Sequence, residues 1–323
     1  MTQGGGAWLG GESPDVRHES SKLVSDMDDP ASQRLRRIGI AWICLTTLMF
    51  AVLDASAKWL VQVFPVLQVI WMRFLVHTVL TAALFAPRIG HQLYRVKHPK
   101  LQLLRGSMLA AMTALNFFAL QYLQLAETGA IQFSVPILIA LISVWWLGEQ
   151  QTPARWVAIA VGFAGVLVII RPGSHGFHPA ILLSLLNAVM YAIFNLITRR
   201  VGADDHPAAT QWISALVPTV VLTPFALWHW QTPHDLWSWL FILSAGLTGG
   251  LGHFASAMAH RYASAAVLGP FLYQQIIYMS CLGWLLFGQI PDPMVIVGAL
   301  LVVASGLYLL RQEFRPARSA DLP

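Results

Sequence analysis

The sequence predicts an all-α polytopic membrane protein of ten transmembrane helices, arranged as two inverted five-helix repeats. Three observations carry that prediction: scarcity of charge, ten long apolar runs, and similarity between the two halves at a nearly constant offset. Of 323 residues, 11% are Asp, Glu, Lys or Arg, against roughly 25% in an ordinary soluble domain. Hydrophobic residues make up 56%, and the mean hydropathy of +0.61 runs over the whole length. One anchoring helix on a soluble domain does not produce such an average. A spanning helix takes about 20 apolar residues and ten take roughly 200, so only short loops and tails remain and a water-soluble catalytic domain does not fit.

Taken in order, residues 1–37 are polar, rich in Gly, Ser and Asp, and lack the apolar core of a signal peptide. They read as a disordered cytoplasmic tail. Apolar runs at about 38–60, 66–86, 101–123, 126–147 and 153–170 make the first repeat, residues 38–171. Runs at about 177–199, 207–229, 236–260, 264–287 and 293–311 make the second, residues 177–311, followed by a cytoplasmic tail at 312–323. Helices are expected rather than barrel strands, because the runs are twice strand length and a bilayer offers no water to backbone groups.

The net charge of +5 would suggest a nucleic-acid partner in a soluble chain, but topology accounts for it. Seventeen of the twenty Lys and Arg fall on one side of the ten spans, among them Arg34, Arg88, Lys97, Arg105, Arg200, Arg261 and Arg311. Lys58 and Arg171 lie at the other surface and Arg73 inside a span. Cytoplasmic loops hold the excess of Lys and Arg, which places both termini in the cytoplasm of what reads as a bacterial inner membrane, with no nucleic-acid partner. Trp228, Trp230, Trp237 and Trp239 bracket one outer connection, as an interfacial belt does. Cys44 and Cys281 both lie in apolar runs and suggest neither a disulfide framework nor a metal site.

The internal repeat is read from four matches in order. Met49 and Met190 lie 141 residues apart in similar segments, in which Asp54 corresponds to Asn195 and Lys58 to Arg199. Pro65 and Val79-Leu80-Thr81 match Pro207 and Val221-Leu222-Thr223 at 142. Asn116-Phe117 stands opposite His253-Phe254 at 137, and Leu147-Gly148-Glu149 opposite Phe287-Gly288-Gln289 at 140. A unit of five spans is odd, so the second copy must lie upside down relative to the first. Inverted repeats belong to secondary transporters, whose halves rock about a site near the midplane.

The motif Leu147-Gly148-Glu149 before Pro153, the stretch Gly269-Pro270-Phe271-Leu272-Tyr273, and Gly283 to Gly288 resemble the EamA-type carriers of the drug/metabolite transporter superfamily. Phe50 to Leu60, followed by Trp71-Met72-Arg73-Phe74, is also similar to that group. The resemblance covers about residues 38–311 and departs at Gln289, where the second copy often has Glu. It implies a ten-helix carrier of small metabolites or drugs without nucleotide hydrolysis, and it alone supplies export as the direction.

Among candidate residues Asp54 is the most informative, since an acid inside a span costs about 2.5 to 3.5 kcal/mol and tends to mark a pathway. Arg73 lies at similar depth in the second span and is an expected ion-pair partner, with Lys58 competing from one turn away. A static lock between helices and a substrate or proton role stand level for this group. Asn116, Gln132, His253, Tyr273, Gln274, Gln275 and Tyr278 are the further substrate or coupling candidates, of which His253 is a titratable shuttle. Taken singly, most such residues bond helix to helix. Glu127 reads as a solvated or capping residue. Gly246, Gly249, Gly250 and Gly252 read as close helix packing, because no P-loop Lys follows them. Pro136 and Pro270 interrupt spans four and nine. Spans five and ten, almost without polar side chains, are expected at the periphery.

The leading expectation is a secondary transporter of small organic solutes by alternating access, coupled to protons and exporting. Alternatives are an uncoupled facilitator or an importer of amino acids, vitamins or nucleobases. An intramembrane enzyme is remote, since neither His-Glu-x-x-His, Gly-x-Ser-x-Gly nor a pair of intramembrane aspartates is present. No cofactor or metal is expected, and the partners are a small-molecule substrate, the bilayer and protons, for a monomer or homodimer.

Overall fold

Helices follow one another with short connections in the computed structural model, which describes residues 30–138, 141–142, 152–171, 177–202, 205–263 and 265–313. Among these residues regular structure is entirely helical. The first helices are α1 (Pro30–Leu60), α2 (Val66–Ile89), α3 (Pro99–Leu120), α4 (Leu125–Gln132) and α5 (Pro153–Ile170). After them come α6 (Ile181–Gly202), α7 (Pro207–Trp228), α8 (Leu236–Tyr262), α9 (Ala265–Leu272), α10 (Gln275–Phe287) and α11 (Pro293–Glu313). A short 3-10 turn, Gly90–Tyr94, follows α2.

Local sequence sets several boundaries. Proline heads α1, α3, α5, α7 and α11, where its missing N–H is no loss and its fixed φ suits the first turn. Helix α1 starts eight residues ahead of the apolar run, so the polar stretch 30–37 continues the first span as helix. Gly288 ends α10 with φ +65°, the left-handed geometry that a glycine adopts without strain. Asp235 caps α8, accepting from Ser238 N and Ser238 Oγ, and these hydrogen bonds, offset in part by burial, hold its carboxyl below the ordinary carboxylate range. Glu127 caps α4: its Oε2 accepts from Gln124 N at 2.7 Å, the capping role expected of it.

Among the described residues five helical segments, Gln33–Leu60, Val66–Tyr94, Pro99–Leu120, Pro207–Trp228 and Leu236–Tyr262, are long and apolar enough to cross a bilayer. Trp156–Ile170, Ile181–Phe194 and Pro293–Leu309 are shorter apolar helices. Their outward faces are apolar: Phe163, Leu182, Val220, Phe225, Leu285 and Leu300 are exposed. So large an uncovered apolar surface belongs in lipid. Trp228, Trp230, Trp237 and Trp239 are exposed as well, Trp228 to 82%.

The helices in the fourth and ninth apolar runs of the sequence are broken. Helix α4 stops at Gln132 and helix resumes at Val135, while α9 stops at Leu272 and α10 starts at Gln275. At both breaks the chain tightens by an i→i+3 bond, Ser134 N to Ile131 O and Gln274 N to Phe271 O. Pro270 lies one turn ahead of its break and Pro136 just behind the other, where each denies the helix a donor.

Packing is dominated by α1 on α8, α5 on α11, α2 on α7, α3 on α6, α2 on α8 and α3 on α7. The glycines expected at close contacts are at them. A Cβ at Gly246 would strike Val76, one at Gly252 would strike Phe50, and one at Gly298 would lie 2.6 Å from the Gly165 carbonyl oxygen. Helices α5 and α11 face each other along that glycine contact, and Ser305 Oγ donates to Ala158 O at 2.6 Å. Arg171 and Asp292 form an ion pair at 3.1 Å where α5 ends and α11 begins.

Candidate functional site

Polar side chains in a bilayer must find partners within the protein, and the described helices bring most of the sequence candidates together in pairs. Asp54, in the second half of α1, is nearly buried and accepts a hydrogen bond at 2.9 Å from Asn116 Nδ2 on α3. Arg73, buried on α2, donates from Nη1 to Thr113 Oγ1 at 3.4 Å. Thr113 and Asn116 are one turn apart on α3, so one face of that helix receives the acid of α1 and the base of α2. The expected ion pair is therefore not direct. Asp54 and Arg73 attract each other across a longer gap, and each places its hydrogen bond on α3.

Lys58 does not compete for Asp54. Its Nζ donates to Leu120 O at 3.0 Å and Leu123 O at 2.6 Å and lies over the Phe287 ring. Leu120 O is an orphan carbonyl at the C-terminus of α3 and Leu123 O lies in the turn just past it, where a cation is favourably placed.

Gly249 and Gly250 of α8 face this cluster. A Cβ at Gly249 would lie 3.3 Å from Arg73 Nε and Nη2, and one at Gly250 would lie 3.0 Å from His77 Cδ2. The glycines let α8 approach the basic strip of α2. His77, one turn beyond Arg73, is fully buried, and neither ring nitrogen has a hydrogen-bond partner. Its ring lies nearly parallel to that of His253 on α8, with centroids 5.9 Å apart and planes at 12°. Phe50 meets His253 edge-on at 5.0 Å. His77 is absent from the sequence candidates, although an ionisable residue four positions after Arg73 inside a span is the signal that would have marked it.

A second group lies at the two breaks. Phe133 and Tyr273 pack edge to face, and the Tyr273 hydroxyl is buried without a partner. Gln132 Oε1 accepts from Asn187 Nδ2 of α6 at 3.2 Å, and Gln274 Nε2 donates to Thr47 Oγ1 of α1 at 2.9 Å. Gln275 and Tyr278 are half-buried on α10, with Tyr278 against the main apolar cluster.

Arg105, read from sequence as a topology-setting residue, has a structural task too. It is buried, lies over the Phe194 ring, and donates to Ser214 Oγ and Thr210 O. Beside it Gln102 Nε2 donates to Asp205 Oδ2 at 2.9 Å and to Thr210 Oγ1 at 2.8 Å, and Lys97 N donates to Asp205 Oδ1 at 2.6 Å. The tails at 1–29 and 314–323, the Leu147-Gly148-Glu149 motif, and the side chains of Asn195 and Arg199 lie outside the described residues. Among the described residues no cluster of three or more His, Cys, Asp or Glu is placed to hold a metal ion.

Comparison with known proteins gives the same picture for both halves. Residues 37–171 and 178–311 each match the EamA-like transporter family. An S-adenosylmethionine uptake transporter of Rickettsia bellii is 24% identical over 276 residues, covering 85% of this chain and 94% of that protein. A riboflavin transporter of Rhizobium johnstonii is 28% identical, covering 87% of this chain and 93% of its own length. The pseudopaline exporter CntI of Pseudomonas aeruginosa is 27% identical, covering 86% and 98%. A solved crystal structure at 18% identity shares the fold with a TM-score of 0.60, over 88% of this chain and 99% of that one.

Proposed function

Because the chain belongs to the EamA-like transporter family, we propose that this integral membrane transporter is a proton-coupled secondary carrier that exports small organic metabolites or drugs by alternating access. Ten spans in two inverted repeats, residues 38–171 and 177–311, would supply the two exchanged states. Three contacts support that repeat. Thr78 and Thr219, one position from exact equivalence at the local offset of 142, share a hydrogen bond at 3.2 Å. Phe133 and Tyr273, equivalent at 140, touch. Gly165 with Gly298 becomes Ser305 with Ala158 when 140 is added to one residue and subtracted from the other, and both pairs are in contact. Equivalent residues meet in this way along an axis relating two halves.

The observation that carries the functional reading is the buried acid and base of α1 and α2 tied to one face of α3. Such groups are costly inside a membrane and mark substrate or ion pathways. In this reading Asp54 takes up the coupling proton, Asn116 orients it, and Arg73 with Thr113 receives a polar or anionic part of the solute. Gln274, Gln275, Tyr273, Tyr278 and Gln132 then line the path from the two broken helices. The protein would act without cofactor or metal as a monomer or homodimer in a bacterial inner membrane, with both termini cytoplasmic.

The test is counterflow of radiolabelled riboflavin and S-adenosylmethionine, the solutes named for two relatives, in proteoliposomes with and without a pH gradient. Asp54→Asn should retain exchange and lose the effect of the gradient. Full activity with unchanged pH dependence removes the proton role. The uptake named for the Rickettsia relative favours a second reading, an importer or uncoupled facilitator, for which the gradient would have no effect on wild type. Chemical alteration of the labelled solute would point instead to an enzyme.

A further inference from the structure

A fully buried imidazole with two unpartnered nitrogens is costly in any interior, and native proteins rarely keep one without a use. His77 is such a group, and it does not stand alone. The nearly parallel ring of His253 faces it from α8, 5.9 Å away, and His253 is only partly buried. The glycines beside the pair remove the side chains that would otherwise hold α2 and α8 apart.

We propose that the His77–His253 pair is a proton-binding site on the α2–α8 interface, and that protonation of either ring drives these two helices apart. This rests on reading the chain as a carrier.

The charge inventory around the pair decides the sign. On α2 itself Arg73 stands one turn from His77, and α3 brings Arg105; both cations act on His253. From α1 come Asp54, whose attraction is directed at Arg73, and Lys58, which is held by the α3 carbonyls. On α8, His260, Arg261 and Tyr262 lie at the far end of the helix. Helices α7 and α9 carry no titratable side chain. A proton added to either ring therefore joins two arginines and one already engaged carboxylate, and like charges close together in a low dielectric repel strongly. Near-parallel stacking of two rings suits them only while neither carries that charge. At one end, Gln68 of α2 is clasped to Gln231, in the connection between α7 and α8, by two hydrogen bonds of 2.6 and 2.9 Å. Separation would therefore open from the opposite ends, near Arg88 and His260.

The experiment uses the full chain in lipid nanodiscs, with Cys44 and Cys281 changed to Ser and spin labels attached through Arg88→Cys and His260→Cys, both exposed positions. Pulsed electron spin resonance from about pH 8 to about pH 4, a span carried below that of a free imidazole because the two arginines oppose the added charge, should show the distance lengthening by roughly 1 to 2 Å, the scale of interhelical shifts. His77→Phe keeps a ring of similar shape and sacrifices no hydrogen bond, so it should fold with an unreduced melting temperature and weaken the response. The double change with His253→Phe should abolish it. A distance in wild type that does not move with pH overturns the proposal, as does an undiminished shift in the double variant. Solute exchange by the same preparation keeps the two readings separate: a static distance in protein that still exchanges solute overturns the proton site and leaves the carrier standing.

Discussion

Phe133 and Tyr273 meet edge to face, their ring centroids 5.1 Å apart and their planes at 65°, each at the point where its own span breaks. One ring belongs to the first half of the chain and the other to the second. The two interruptions are thereby fastened to each other across the molecule.

Tyr273→Phe should be tolerated. Its hydroxyl is buried without a partner, so removing it should leave stability unchanged or raise it by about 1 kcal/mol. Tyr273→Ala, which also removes the ring from the Phe133 contact, should cost about 3 kcal/mol or more. Thermal unfolding of the detergent-solubilised variants separates the two.

Gly298→Ala should destabilise by about 1 to 3 kcal/mol, the usual cost of overfilling a tight contact, since its Cβ would press on the Gly165 carbonyl oxygen and on Ile169. An alanine at Gly283, whose nearest neighbours to a new Cβ are 3.9 Å away, should be nearly neutral. Equal effects from the two substitutions would contradict the close approach of α5 and α11.

Lys58→Met should lower stability by about 1 to 3 kcal/mol, because it leaves the Leu120 and Leu123 carbonyls without their donor. The folded fraction should exchange solute at the wild-type rate per molecule. A specific loss of transport with unchanged unfolding would instead make Lys58 part of the path.

Asp205 gives a pH-dependent prediction outside the membrane. Burial raises its carboxyl, but the Lys97 backbone N–H and the Gln102 amide outweigh that and hold it below the ordinary value of 3.8. A group lowered in the folded state contributes stability above its unfolded value, and the contribution is lost as pH falls through the folded value. Asp205→Asn should therefore melt earlier than wild type at neutral pH, and the difference should narrow below about pH 4. A gap that is constant with pH would exclude the charged form as its source.

Much of this architecture could be read from one dimension, and some could not. Hydropathy places helices because their period and length are local properties, and the glycines of α8 announced a close contact because glycine in a helix needs a reason. Depth along a span was legible too, so Asp54 and Arg73 were set at one level. Which neighbours they would choose was not, because sequence gives depth but not the rotation of one helix about another. That rotation turned both toward Thr113 and Asn116, and turned Lys58 toward the end of α3. Arg105 shows the same limit, since charge-counting could not separate a loop cation from one folded beneath Phe194. His77, four residues after Arg73 in the same apolar run, carries the same one-dimensional signal of an ionisable group inside a span.

Helix α7 is tied at both ends and in the middle: Gln68 of α2 with Gln231 just past its end, Thr78 of α2 with Thr219 midway, and Lys97 and Gln102, ahead of and within α3, with Asp205 and Thr210 at its start. A helix stitched at both rims has little freedom to rock. In the carrier reading proposed above it would serve as a spine on which a cycle of opening swings, with the broken helices α4 and α9–α10 as the doors.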